Sequence, residues 1–277
     1  MSSVLFDTPG PRTRARHRLY TVAAGAVLLV AVVWFGWYLY EQGELEYELW
    51  EPFVTPVYLE ALWQGLLDTL AMAVTAILFA VVLGAVLAVG KLSDHRLVRM
   101  PCWLVVEFFR AVPLLLLILF LFLGPAALTP YWSVVVGLTL YNGSVLAEIF
   151  RAGVLAVPKG QAEAAYALGM RKSQVMTQIQ LPQAVKIMIP AIISQCVVAL
   201  KDTSLGYYVL APGLTTVGRA IWTEFGNQLQ TAVVVSAIYI GCNLILTALA
   251  MLAQRKLVGE RKEIVHAVDP GSTGGFS

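Results

Sequence analysis

Charges set inside apolar sequence are the residues of this chain best placed to do chemistry. Glu107 and Arg110 stand one helical turn apart, as do Glu148 and Arg151, and each pair falls at or inside a long apolar stretch. Leaving a charge in hydrocarbon costs about 2.5–3.5 kcal/mol even on insertion scales, so each of these residues needs a reason. Two readings stay open: a local ion pair whose arginine reaches back to the interface, or the lining of an inner vestibule or gate. A second group, Lys201-Asp202-Thr203-Ser204, puts both charge signs and two hydroxyls at the end of another apolar stretch. A polar solute that gives up its hydration to cross such sequence needs charges or dipoles to meet it. This group and the Arg110/Glu148 set can offer them, unless Lys201 and Asp202 pair with each other to hold their segment in shape. Asn142 and Asn243, each in mid-stretch, suit either hydrogen bonds between helices or contact with a ligand.

Other chemistries lack their residues. No Gly-x-x-x-x-Gly-Lys run followed by Ser or Thr is present, and Gly153 and Gly160 have neither the spacing nor the lysine, so any nucleotide is held by a partner. Cys102, Cys196 and Cys242 are odd in number, far apart and apolar in context, which makes them packing residues. His17, His95 and His266 lie in polar segments without metal-ligand spacing.

These residues sit in a chain of 277 that is 58% hydrophobic and 13% charged, far from the globular norm of roughly 45–50% and 25%. The mean hydropathy of +0.75 means more apolar surface than one core can hide, so much of it faces lipid or other membrane helices. A net charge of +2 leaves no basic face for nucleic acid. The fold class expected is an all-α integral membrane protein. Six apolar stretches approach the ~20 residues that cross a bilayer: 21–40, 66–90, 104–123, 131–150, 184–200 and 231–253. The first is too long for a signal-peptide core, and Trp34, Trp37 and Tyr38 form an interfacial belt, so it is expected to remain as an anchor.

Basic residues alternate in a way that orients these spans. Arg12, Arg14, Arg16 and Arg18 precede the first; Lys91, Arg96 and Arg99 follow the second; Arg151, Lys159, Arg171 and Lys172 follow the fourth; Arg255, Lys256, Arg261 and Lys262 follow the sixth. All fall on one face, which the excess of Lys and Arg marks as cytoplasmic, and both termini share it. The other face has the acidic stretch 41–51, a short turn near Pro125–Pro130, and the segment 201–227. Within that segment Pro212-Gly213 precedes a short helix over 214–225, and the piece either dips in beside a pore or lies as a loop at the interface.

The 151–182 connection is too long for a turn and predicts two short helices. The first starts after Pro158 and ends at Gly169, where a left-handed residue fits; the second is capped by Ser173 and stopped by Leu181-Pro182. Ala162, Ala165 and Leu168 share a face of the first, onto which another protein can close. The spacing Glu163-Ala164-Ala165, Gly169, Ile179, Leu181-Pro182 resembles the EAA loop of permease subunits of bacterial ATP-binding-cassette importers. Seven such positions coincide by chance on the order of once in 10⁸ starts. The strings 107–114, 141–153, 157–161, 181–184 and 201–205 are similar to its polar amino-acid uptake branch, and the likeness runs from about Tyr58 to Ala253.

The resemblance implies a five-helix permease core over 58–254, here preceded by an extra span and external loop (21–57) and flanked by cytoplasmic tails (1–20 and 255–277). It implies no enzyme activity in this chain. ATP and Mg would be bound by two partner ATPase subunits, with a second permease subunit and an extracytoplasmic amino-acid-binding protein completing an importer in the bacterial inner or plasma membrane. Glu163, Ala164, Ala165, Gly169, Ile179, Leu181 and Pro182 would couple the spans to the ATPase. Within the branch the chain looks most like glutamate-type permeases. The competing class is a self-sufficient carrier or channel, which often shows a paired internal repeat with matching broken helices; no such repeat is visible here.

Overall fold

The computed structural model of the chain describes residues 11–125 and 127–258, and no strand occurs among them. Five helices are long and apolar enough to cross a membrane: α1 (Pro11–Glu41), α3 (Pro56–Lys91), α6 (Pro130–Leu155), α9 (Leu181–Asp202) and α11 (Gln228–Val258). α2 (Tyr47–Trp50) is a single turn between the first two of these. Proline opens α1, α3 and α6, where its missing amide would have had no partner and its fixed φ already suits the helix. The helix starts at Pro11 rather than after residue 20, because the arginine-rich segment before the apolar run is itself a good helix former. Arg261, Lys262 and His266 lie outside the described residues.

The expected third span, 104–123, is broken. α4 (Arg96–Ala111) and α5 (Leu114–Leu123) meet at 98°, so this stretch is a bent pair, the form of a broken span or a re-entrant loop, rather than one straight helix. Val112 is extended (φ −78°, ψ 128°), as a residue before proline prefers, and Pro113 brings no amide to continue the ladder. Arg110 therefore stands in the last turn of α4, beside the break, instead of two turns inside a straight span.

Two compact units are present. One comprises the chain up to Leu62 together with Gly218–Val234. In it the acidic 41–51 stretch is stitched to the start of α11: Gln230 Nε2 donates to Glu44 O (2.6 Å) and Oε2 (2.9 Å), and Asn227 Nδ2 donates to Leu49 O (2.8 Å). Tyr58 donates to Glu224 Oε1 at 3.0 Å.

The other unit, Trp63–Val217 with the chain from Val235, is organised around α6. Val134, Val135 and Leu138 of α6 pack with Met72, Ala76 and Ile118 in a buried cluster. α3 crosses α6 at glycines: a Cβ on Gly84 would stand 2.9 Å from Gly143 O and from Leu146 Cβ, so the backbones touch only because both residues lack side chains. α9 lies against α6, with Gln195 Nε2 donating to Asn142 Oδ1 at 2.5 Å. α10 (Leu214–Phe225) is the short helix expected after Pro212-Gly213, and its first amide donates to Thr69 Oγ1 at 2.9 Å.

Candidate functional site

The connection after α6 folds first into α7 (Lys159–Ala167). It ends as the sequence asks: Gly169 has φ +79°, its amide donates to Tyr166 O (2.9 Å), and the Met170 amide donates to Ala165 O (3.2 Å), a Schellman closure. Of the three residues expected on one face of α7, one is covered within the chain itself. Ala165 is buried and Ala162 half-buried, whereas Leu168 is 84% exposed, because Leu168 has already left the helical register at the C-cap. Glu163, Ala164 and Gly169 are exposed.

The second half of the loop differs from expectation more. A short helix α8 (Lys172–Gln174) passes through a π-helical stretch, Val175–Gln180, straight into α9, so Leu181-Pro182 starts the next span rather than stopping a helix. The wide turn carries the chain into Pro182 near the start of α9, where its missing amide costs least, and Gln183 Nε2 donates to Ile179 O at 2.9 Å. Ser173 lies within this run; the cap is made instead by Gln174 Oε1, which accepts the Arg171 amide at 2.9 Å. Leu181 and Pro182 are exposed and Ile179 half-buried.

Near the loop the two sequence-local ion pairs exist and are joined. Arg151 Nε donates to Glu148 Oε1 at 2.9 Å, and Arg110 Nη1 stands 3.4 Å from Glu107 Oε1. Lys91, the last residue of α3, links them: its Nζ is 2.7 Å from Glu148 Oε2 and 3.7 Å from Glu107 Oε1, with its side chain 5% exposed. In the sequence Lys91 reads only as one of the basic residues that orient the chain. Its signal was there, since it is the first basic residue after Arg18, but its partners were not. These charges border a cavity of about 590 Å³ together with Arg99, Met100 and Trp103; Arg110 is not part of its wall. Three residues past Lys91, Asp94 pairs with Lys172 of α8, and the Lys172 ammonium holds the Asp94 carboxyl below the usual carboxylate range.

At the far end of α9 the 201–204 set splits. Lys201 and Ser204 line a second cavity, also about 590 Å³, with Thr215, Ser236, Tyr239 and Asn243. Thr203 is buried and donates to Leu200 O (2.6 Å), and Asp202 is half-buried off the cavity wall. Successive helical residues point ~100° apart, so four in a row cannot share one wall. Asn243 Nδ2 donates to Tyr239 O (2.8 Å), while its Oδ1 is buried without a partner. Asn142, by contrast, is buried between α6 and α9 and engaged with Leu138 O and Gln195.

Long apolar helices, one broken span, a structured loop at one end and polar cavities among the spans define a multi-pass membrane transport subunit. The chain belongs to the family of binding-protein-dependent transport system inner membrane components, whose sequence profile matches residues 80–259. It is 41% identical over 236 residues to the glutamate transport system permease protein GluD of Corynebacterium glutamicum, covering 82% of this chain and 86% of that one. The arginine transport system permease protein ArtQ of Bacillus subtilis is 32% identical over 70% of this chain and 91% of its own. Among solved structures, an amino acid ABC transporter superposes with a TM-score of 0.68 at 28% identity, over 72% of this chain and 95% of that one.

Proposed function

We propose that this chain is the membrane-spanning subunit of an ATP-binding-cassette importer that takes up glutamate or a closely related polar amino acid. The observation that carries the reading is the 41% identity to a glutamate permease along most of both chains, joined to an exposed loop bearing Glu163 and Gly169. Two partner ATPase subunits bind ATP and Mg, and the loop residues Glu163, Ala164, Ala165, Gly169, Ile179, Leu181 and Pro182 pass their closure to the spans. A second permease subunit completes the path, and an extracytoplasmic binding protein delivers the amino acid. The Lys91–Arg151 end faces the cytoplasm, as do both termini, in keeping with the basic residues gathered there.

In this orientation the Lys201 cavity receives the substrate. A carboxylate there meets the Lys201 ammonium and the hydroxyls of Ser204 and Thr215, and the unpartnered Asn243 Oδ1 accepts from the substrate's ammonium group. Asp202 and Thr203 shape this segment from behind. Arg110, Glu107, Glu148 and Arg151 surround the exit, while Asn142 holds α6 to α9. Reconstitution tests the reading: the subunit copurified with its ATPase should take up glutamate in liposomes only with ATP and a binding protein present. Uptake by the subunit alone would make it a carrier instead.

A further inference from the structure

We propose that the turn between α3 and α4 is a second transmission element, gripped from the coupling loop through Asp94 and acting through Lys91 on the broken α4–α5 span. The proposal rests on the assignment of the 151–182 loop as the ATPase contact. Lys172, at the head of α8, holds Asp94 in the middle of that turn. Lys91 enters the same turn from α3, buried between Glu148 of α6 and Glu107 of α4. α4 is thus tied near its start through the turn and again at Glu107 through Lys91. One turn further Arg110 pairs with Glu107 at 3.4 Å, and then comes the 98° break at Val112 and Pro113. A helix held at two points moves as a lever, and the break, where the proline interrupts the amide ladder, is where its motion is absorbed.

Transmission also needs an element with two discrete arrangements. Lys91 is one. Its ammonium is close to Glu148 at 2.7 Å and stands off from Glu107 at 3.7 Å, so a small shift of α4 toward α3 trades one carboxylate for the other. Neither partner is idle meanwhile, since Arg151 neutralises Glu148 and Arg110 neutralises Glu107. The buried charge is compensated in both positions, whereas a lysine with a single partner would be stranded by the same movement. The adjoining cavity of about 590 Å³, walled by Lys91, Glu107, Glu148 and Arg151, leaves room for the exchange. An exposed pair such as Asp94–Lys172 contributes little stability by itself, so its substitution leaves the fold intact and reads out transmission alone.

The experiment measures amino acid taken up per ATP hydrolysed by the permease–ATPase complex in liposomes with its binding protein. Asp94→Lys should lower this ratio about fivefold or more while stimulated hydrolysis stays within about twofold of wild type. The double swap Asp94→Lys with Lys172→Asp should restore the ratio, Lys91→Gln should lower it as Asp94→Lys does, and Lys91→Arg should keep most of it. A wild-type ratio in Asp94→Lys, or a double swap as uncoupled as the single variant, overturns the proposal. A wild-type chain that brings down no ATPase refutes the underlying loop assignment instead, and is seen before any variant is made.

Discussion

Gly169 carries a backbone demand that few other residue types meet at low cost. Its φ of +79° closes α7 by the Schellman bonds, and nothing stands within 4 Å of where a Cβ would be, so the constraint is conformational rather than steric. Gly169→Val should insert normally and leave ATP hydrolysis by the partner subunits running, yet lose most uptake, because the loop's exit direction changes; Glu163→Ala should weaken uptake the same way. Normal uptake by both variants would show that this loop does not couple. At the other end, Lys201 is the basic residue on its cavity wall and Asn243 Oδ1 the buried acceptor without a partner. Lys201→Ala should reduce uptake at limiting substrate roughly tenfold, a loss of ~1.4 kcal/mol, with Lys201→Arg retaining much of it. Uptake by Lys201→Ala at the wild-type rate would remove the cavity from the path.

Among the elements, α3 and α6 cross at a point that tolerates little change. Gly84 and Gly143 lie in mutual contact, and a side chain on Gly84 runs into the Gly143 carbonyl, which is backbone and cannot swing away. Gly84→Leu should cost about 1–3 kcal/mol or force the helices apart, read as a lower melting temperature of the purified subunit, while Gly25→Leu on α1, with nothing within 4 Å, should leave it unchanged. Equal melting temperatures would mean that the crossing is not close-packed. The bend between α4 and α5 has a different origin. It was readable as Val112-Pro113 inside an apolar run, but apolar length alone argued for one straight span, because a proline in a membrane helix can be absorbed as a kink.

For the molecule as a whole, the orientation is the boldest consequence of the sequence. A cysteine placed at Gln42 should react with a membrane-impermeant reagent added outside sealed cells, and one at Thr13 should not; the reverse pattern would invert the molecule. Five of the six apolar stretches, the short helix after Pro212-Gly213 and the helix end at Gly169 were legible without coordinates. The reason is that bilayer thickness, proline's missing amide and glycine's positive φ act on residues close together in the chain. Lys91's carboxylates lie 57 residues away on α6 and 16 away on α4, separations that no periodicity relates, and only the packing of three helix ends brings them together. The same holds for the 201–204 set. Its residue types announced a polar site, but which of the four face the cavity was decided by the rotation of α9 against its neighbours, a property of tertiary contact and not of the local sequence.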